Sequence, residues 1–326
     1  MQALLSTIRK TFSRADMGGL FVGSAVLFCL PLILPVNDYV LQVLTHALLL
    51  AILAMAWNVL GLCGAISLGH AAFFGVGSYT SALLSMNLGF TVWLSIPLAG
   101  ITAAAVGLLM GLVCTRLRGA YFALATLAFV EIPKVITDNW DSLTRGSLGL
   151  VGLPKFPSLQ LPFWQLQYGS AAGSYYLVLL YGFFIGSVVL CLFRSNFGLA
   201  LEAIREEEIA AAAVGISVNR FRLLALLGSA AITGIGGGCY AHLIRYIEPD
   251  LVYSLRFSTV PMIFALCGGR FTALGPALAA LLIYPLDQFV FHPLLPAGHE
   301  FVYGLVLIIT ILFMPEGLWS KLRRTT

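Results

Sequence analysis

Apolar runs follow one another along this chain, divided by short polar or glycine-rich intervals. Runs near 19–36, 40–60, 92–114, 119–138, 174–193 and 220–246 have roughly the 20 residues that a helix needs to cross hydrocarbon. Shorter or broken runs lie at 69–86, 257–269, 276–290 and 301–315. The pair around "ALCGGRFTALGPALAALL" reads as two short spans or as one re-entrant unit. The pattern predicts an all-α, polytopic transmembrane helical bundle of eight to ten spans with interrupted helices. It forms one domain over residues 1–326.

Composition agrees with that pattern. Sixty per cent of the 326 residues are hydrophobic and 10% are charged, against about 25% charged in a soluble domain. So few charges cannot cover a water-facing surface of this size. Basic residues set the expected direction. With ten spans, 13 of the 18 Lys and Arg fall in cytoplasmic segments and five, Lys134, Arg145, Lys155, Arg245 and Arg256, fall outside. Both termini are then cytoplasmic. The basic N-terminus lacks a small-residue cleavage site and reads as leading into a retained first span. The longest outer connection, 139–173, is rich in Gly, Pro, Ser and aromatics and is expected to cap the outer face. Six scattered cysteines without a CxxC pair read as small buried hydrophobes.

The stretch "GLCGAISLGHAAFFGVGSYT" (61–80) breaks this apolar logic with Gly61, Gly64, Gly69, Gly75 and Gly77. Irregular backbone at membrane depth needs protein or a cavity to satisfy its polar groups, so the stretch is expected inside the bundle. Two readings stand. It is a translocation-path wall built on interrupted helices, with Ser67, His70, Phe74 and Tyr79 as the path residues. Or it is close packing of small residues, as at Gly107–Gly111 and Gly234–Gly238. Glu131 and Lys134, three apart, are expected to pair on one helix face.

The polar interval Arg194–Arg222, "RSNFGLALEAIREEEIAAAAVGISVNRFR", combines an acidic cluster with a run of alanines. Small side chains admit a close partner, and charges at the edge fix its orientation. The interval is therefore read as a docking helix for a cytoplasmic protein, with Gly215 ending it. The chain has no GxxxxGK[ST] loop, no nucleophile–base arrangement, no zinc spacing and no basic groove for nucleic acid. No catalytic residue, metal or cofactor is expected. The reading is a transporter without its own engine rather than an enzyme.

Several blocks resemble, in order, the LivM type of ABC transporter permease, the branched-chain amino acid uptake family. They are "GAISLGHAAFFGVGSYTSALL" (64–84), "LRGAYFALATLAFVEI" (117–132), "LTRGSLGLVGLP" (143–154), "LEAIREEEIAAAAVGI" (201–216), "GGRFTALGPALAALL" (268–282) and "MPEGLW" (314–319). The resemblance implies a heteromeric importer in the bacterial inner membrane. Its partners would be a homologous, LivH-like second permease, two cytoplasmic ATP-binding subunits and an extracytoplasmic solute-binding protein. Its cargo would be leucine, isoleucine and valine, or in some relatives urea, short amides or other amino acids. The 199–216 helix would dock on the ATPase through Glu202, Ala203, Arg205, Glu208, Ala211 and Gly215. The alternative without an ATPase is an ion-coupled secondary transporter. Four positions depart from the family pattern. Ala65 replaces a common glutamine, Arg145 a glycine or asparagine, Leu199 an arginine, and Ile209 the glutamate of the docking loop.

Overall fold

The computed structural model describes residues 2–33, 37–156, 160–161, 164–165, 171–269 and 271–294, with 298, 301, 304, 305 and 308 beyond them. The expected span 301–315 and the 314–319 block lie largely or wholly outside the described residues.

The helices are α1 (Gln2–Ile33), α2 (Asp38–Gly61), α3 (His70–Asn87), α4 (Val92–Cys114), α5 (Gly119–Phe129), α6 (Glu131–Asn139), α7 (Asp141–Thr144), α8 (Ala171–Arg194), α9 (Asn196–Glu206), α10 (Glu208–Ala213), α11 (Val218–Ile244), α12 (Pro249–Val252), α13 (Arg256–Gly268) and α14 (Gly275–Leu286). A π-helical turn, Asp287–Phe291, and a last turn, His292–Leu294, continue α14. Among the described residues seven stretches are long and apolar enough to cross a membrane. These are 38–61, 92–114, 119–139, 171–194, 218–244, 249–268 and 275–294. A shorter apolar stretch, Met17–Leu32, belongs to α1. The 18-residue α3 is not among the seven, and its burial explains why. Other helices sheathe it, so Ser78, Ser81 and Ser85 need partners in the bundle rather than compatibility with lipid.

Local chemistry sets the breaks. Pro133 has no amide to bond the Phe129 carbonyl, and the helix opens between α5 and α6 at Val130. Ser195 starts α9 by accepting from the Gly198 amide at 3.3 Å. Lys134 pairs with Asp250 at 2.9 Å, across to α12, rather than with Glu131. Neighbours on one helix gain only about 0.2–0.5 kcal/mol, so a tertiary partner within reach prevails.

The main core joins α2, α3, α4, α8 and α11, and a smaller cluster, Ala51, Ala54, Val260, Phe264, Cys267, Ala279 and Ala280, seats α13 and α14 on α2. Helices α3, α4 and α11 meet backbone to backbone. A Cβ at Gly77 would strike the Gly234 carbonyl and lie 2.6 Å from its Cα, and one at Gly107 would lie 2.8 Å from Ala230 Cβ. At these positions the small-residue pattern is close packing.

The 139–173 connection is tied to the end of α11. Strand β1 (Leu150–Val151) pairs antiparallel with a second strand (Tyr246–Ile247). His242 bridges the Pro154 carbonyl and the Ser81 hydroxyl, both at 2.9 Å. Backbone pairing is also present at Gln160–Leu161 against Trp164–Gln165. Arg145 takes a left-handed φ of 59°, a conformation in which glycine or asparagine is at ease. This accounts for the residues expected at that position.

Candidate functional site

The interruption between α2 and α3 is tied down by hydrogen bonds to side chains. Trp57 Nε1 donates to the Ser67 carbonyl at 2.9 Å, and the Gly69 amide donates to Ser67 Oγ at 3.2 Å. The Leu68 amide donates to Thr126 Oγ1 of α5 at 3.1 Å, and the Ala71 amide to Ser258 Oγ of α13 at 2.8 Å. His70 Nε2 lies 2.8 Å from Ser229 Oγ of α11. Orphan donors at a helix start need such partners when water is absent. Three other helices thus fix the position of α3.

The four residues expected on the path are all buried: Ser67, His70, Phe74 and Tyr79 are 0–4% exposed. Ser67 and His70 sit together at the start of α3. Farther along, Phe74 stacks on Phe257 with centroids 3.9 Å apart, and Tyr79 stacks on Tyr253 at 6.3 Å. A Cβ at Gly75 would lie 2.6 Å from Tyr253 Cζ, so this glycine makes room for the ring. All four are covered by neighbouring helices. They line neither the cavity beside α9 and α10 nor the one between α2, α8 and the end of α11.

The first cavity, about 300 Å³, lies where the interruption meets the polar interval. Ala65, Cys63, Thr115, Arg118, Arg205, Glu208 and Arg222 line it. Burial pushes the Cys63 thiol up from its usual range, with nearby Arg222 opposing that shift. A neutral thiol there is a small apolar wall rather than a nucleophile.

The polar interval is two helices rather than one. Glu207 is extended, φ −154° and ψ 108°, and its carboxylate caps α10 by accepting from the Ile209 amide. Gly215, φ 90°, closes α10 while the Ile216 amide reaches back to the Ala211 carbonyl at 3.0 Å. Three of the residues expected to dock turn toward their own bundle. Arg205 lies 3.9 Å over the Phe271 ring and packs against Gly64. Glu208 meets Arg222 of α11 at 3.0 Å and Arg118, just before α5, at 2.9 Å. Ala211 is buried. Glu202 and Ala203 are half-buried, and Gly215 is exposed. The outward face of α10 is instead Ile209 and Val214, 77% and 78% exposed, with Ala210, Ala212 and Ala213 between them, and Leu199 stands exposed on α9. Ile209 to Val214 form part of the small, apolar surface that the interval's sequence offers a partner, whereas Leu199 stands out in the sequence only as a departure from the family pattern. Large apolar residues inside an otherwise polar interval were the available signal.

The family model described as branched-chain amino acid transport system / permease component matches residues 39–311. The high-affinity branched-chain amino acid transport system permease protein LivM of Escherichia coli is 31% identical over 305 residues, covering 86% of this chain and 70% of that protein. The corresponding LivH of Salmonella typhimurium is 24% identical, covering 83% and 91%. The guanosine ABC transporter permease protein NupQ of Bacillus subtilis is 25% identical, covering 69% and 72%. No solved structure matches.

Proposed function

This chain belongs to the branched-chain amino acid transport system permease family, and from that premise we propose that it is one membrane subunit of an ATP-driven importer of leucine, isoleucine and valine. A LivH-like permease completes the membrane part. An extracytoplasmic binding protein delivers cargo, and two ATP-binding subunits attach at the α9–α10 end, which faces the cytoplasm together with both termini. The chain performs no chemistry of its own.

The observation that carries the reading is the anchoring of α10. Its outward face is small and apolar, suited to a groove on an ATPase. Its inward face holds Glu208 between Arg118 and Arg222. Through Arg205, α9 touches both the turn between α13 and α14 and the α2–α3 interruption. Movement of the ATPase therefore reaches α5, α11 and the α2–α3 interruption through ion pairs and packed contacts. Ile209, Val214 and the alanines meet the ATPase. Arg205, Glu208 and Ala211 pass its motion inward, while Glu202, Ala203 and Gly215 border the contact. Ser67, His70, Phe74 and Tyr79 form the layer that parts when access alternates.

The test is reconstitution of this chain with the second permease, the two ATPase subunits and the binding protein in vesicles. Labelled leucine accumulates only with ATP and all components present. Uptake driven by an ion gradient without the ATPase contradicts the reading. ATP-driven uptake of labelled guanosine in place of leucine reassigns the cargo.

A further inference from the structure

At the opposite end from α10 a second cavity, about 480 Å³, opens between α2, α8 and the end of α11. Its volume falls in the range of about 300–1,000 Å³ usual for small-molecule sites. Charges of both signs stand on its walls. Asp38 opens α2, Lys155 lies in the connection after β1, and Arg245 ends α11. All three are exposed, and among the described residues none forms an ion pair. Phe156 and Leu243 give the same cavity an apolar wall.

The positive side is held in place. Arg245 has a left-handed φ of 62°, and its Nε donates to the Leu153 carbonyl at 3.1 Å. That bond orients the guanidinium while its terminal amino groups keep their donors for a ligand. The His242–Pro154 bond at 2.9 Å fixes the segment that carries Lys155 and Phe156. Opposite charges kept apart beside an apolar wall match a ligand that carries both charges and a hydrocarbon group.

We infer that this cavity receives a free aliphatic amino acid as its zwitterion. The ammonium sits beside Asp38, the carboxylate beside Lys155 and Arg245, and the side chain against Phe156 and Leu243. The inference deepens the importer reading and rests on it for the class of cargo. It makes the cavity a station on this chain, distinct from the delivering binding protein.

The test uses the full chain in phosphatidylcholine nanodiscs, without binding protein or ATPase, and labelled L-leucine. Binding saturates. Isoleucine and valine compete, whereas 4-methylpentanoate and 3-methylbutylamine, with one charge each, do not. Asp38→Asn and Lys155→Gln, at exposed positions, each weaken binding about tenfold, the scale of one lost charge-assisted hydrogen bond, with the melting temperature unchanged. Arg220→Gln, an exposed charge near the start of α11, has no effect. Lack of saturable binding, equal competition by the one-charge analogues, or unchanged affinity in both variants overturns the inference. Displacement by soluble dihexanoyl phosphatidylethanolamine at lower concentration than leucine also overturns it, by making the cavity a lipid site. Uptake by the complete assembly is measured in parallel. Uptake without nanodisc binding removes this cavity and leaves the importer, whereas binding without ATP-driven uptake removes the importer and leaves the cavity.

Discussion

Adding one methyl group at Gly77 tests whether the glycines of the α3–α11 seam serve packing. In Gly77→Ala the new Cβ meets the Gly234 carbonyl and lies 2.6 Å from the Gly234 Cα. Ordinary carbon contacts lie at about 3.5–4.0 Å, so the two backbones must part by about 1 Å. No rotamer can absorb the shift, because both sides are main chain. A gap of 0.5–1 Å forfeits roughly a quarter to a half of each dispersion contact along the seam. Overpacking costs about 1–3 kcal/mol, and this case belongs at the upper end, about 3 kcal/mol. The control is Gly228→Ala on α11, where the nearest atom is Val59 Cγ1 at 3.9 Å. There the methyl fits, and the change gains about 0.5–1 kcal/mol from helix preference. Thermal unfolding of the purified chain in detergent reads both. At roughly 2–4 °C per kcal/mol, Gly77→Ala melts about 6–12 °C lower and Gly228→Ala melts slightly higher than the parent. Equal melting temperatures for the two variants would refute the packing argument.

Three further outcomes are expected. Glu208→Gln leaves Arg118 and Arg222 without their carboxylate; at partial exposure this costs about 1–2 kcal/mol, and ATP-dependent uptake falls further than the melting temperature alone explains. Arg145→Gly relieves a left-handed side-chain-bearing residue, offset by the greater freedom of glycine when unfolded, and raises stability by about 0.5–1 kcal/mol in thermal melts. His242→Leu removes the link between Pro154 and Ser81, and amide exchange over 150–156 speeds up about tenfold, with little change at the α9–α10 end.

Helices whose residues meet lipid or uniform apolar neighbours were legible from the sequence, because transfer energetics write them as long apolar runs. The expected 92–114 span matches Val92–Cys114, and 40–60 differs from Asp38–Gly61 by three residues in all. Features set by tertiary partners were not legible. The partner of Lys134 comes from α12, more than a hundred residues away, and nothing in a local window points to Asp250. The break at Glu207 splits a stretch of good helix formers, and a side-chain cap with tethering to Arg222 outweighs that local preference. His70 was conspicuous as a polar residue in an interrupted span, but Ser229, its partner, sits 159 positions later. The acidic cluster drew attention to Glu208 as a surface charge, whereas the fold turns it inward and leaves Ile209 and Val214 facing out.

The central claim is that α10 relays an attached motor's motion into the bundle. The most direct measurement compares uptake and melting temperature in Ile209→Asp/Val214→Asp within the reconstituted assembly. Both side chains are about three-quarters exposed or more, so the isolated chain melts as the parent does. The account predicts that ATPase subunits no longer copurify and that ATP-dependent leucine uptake is lost. Full-rate uptake by this variant, with the ATPase still bound, would contradict it.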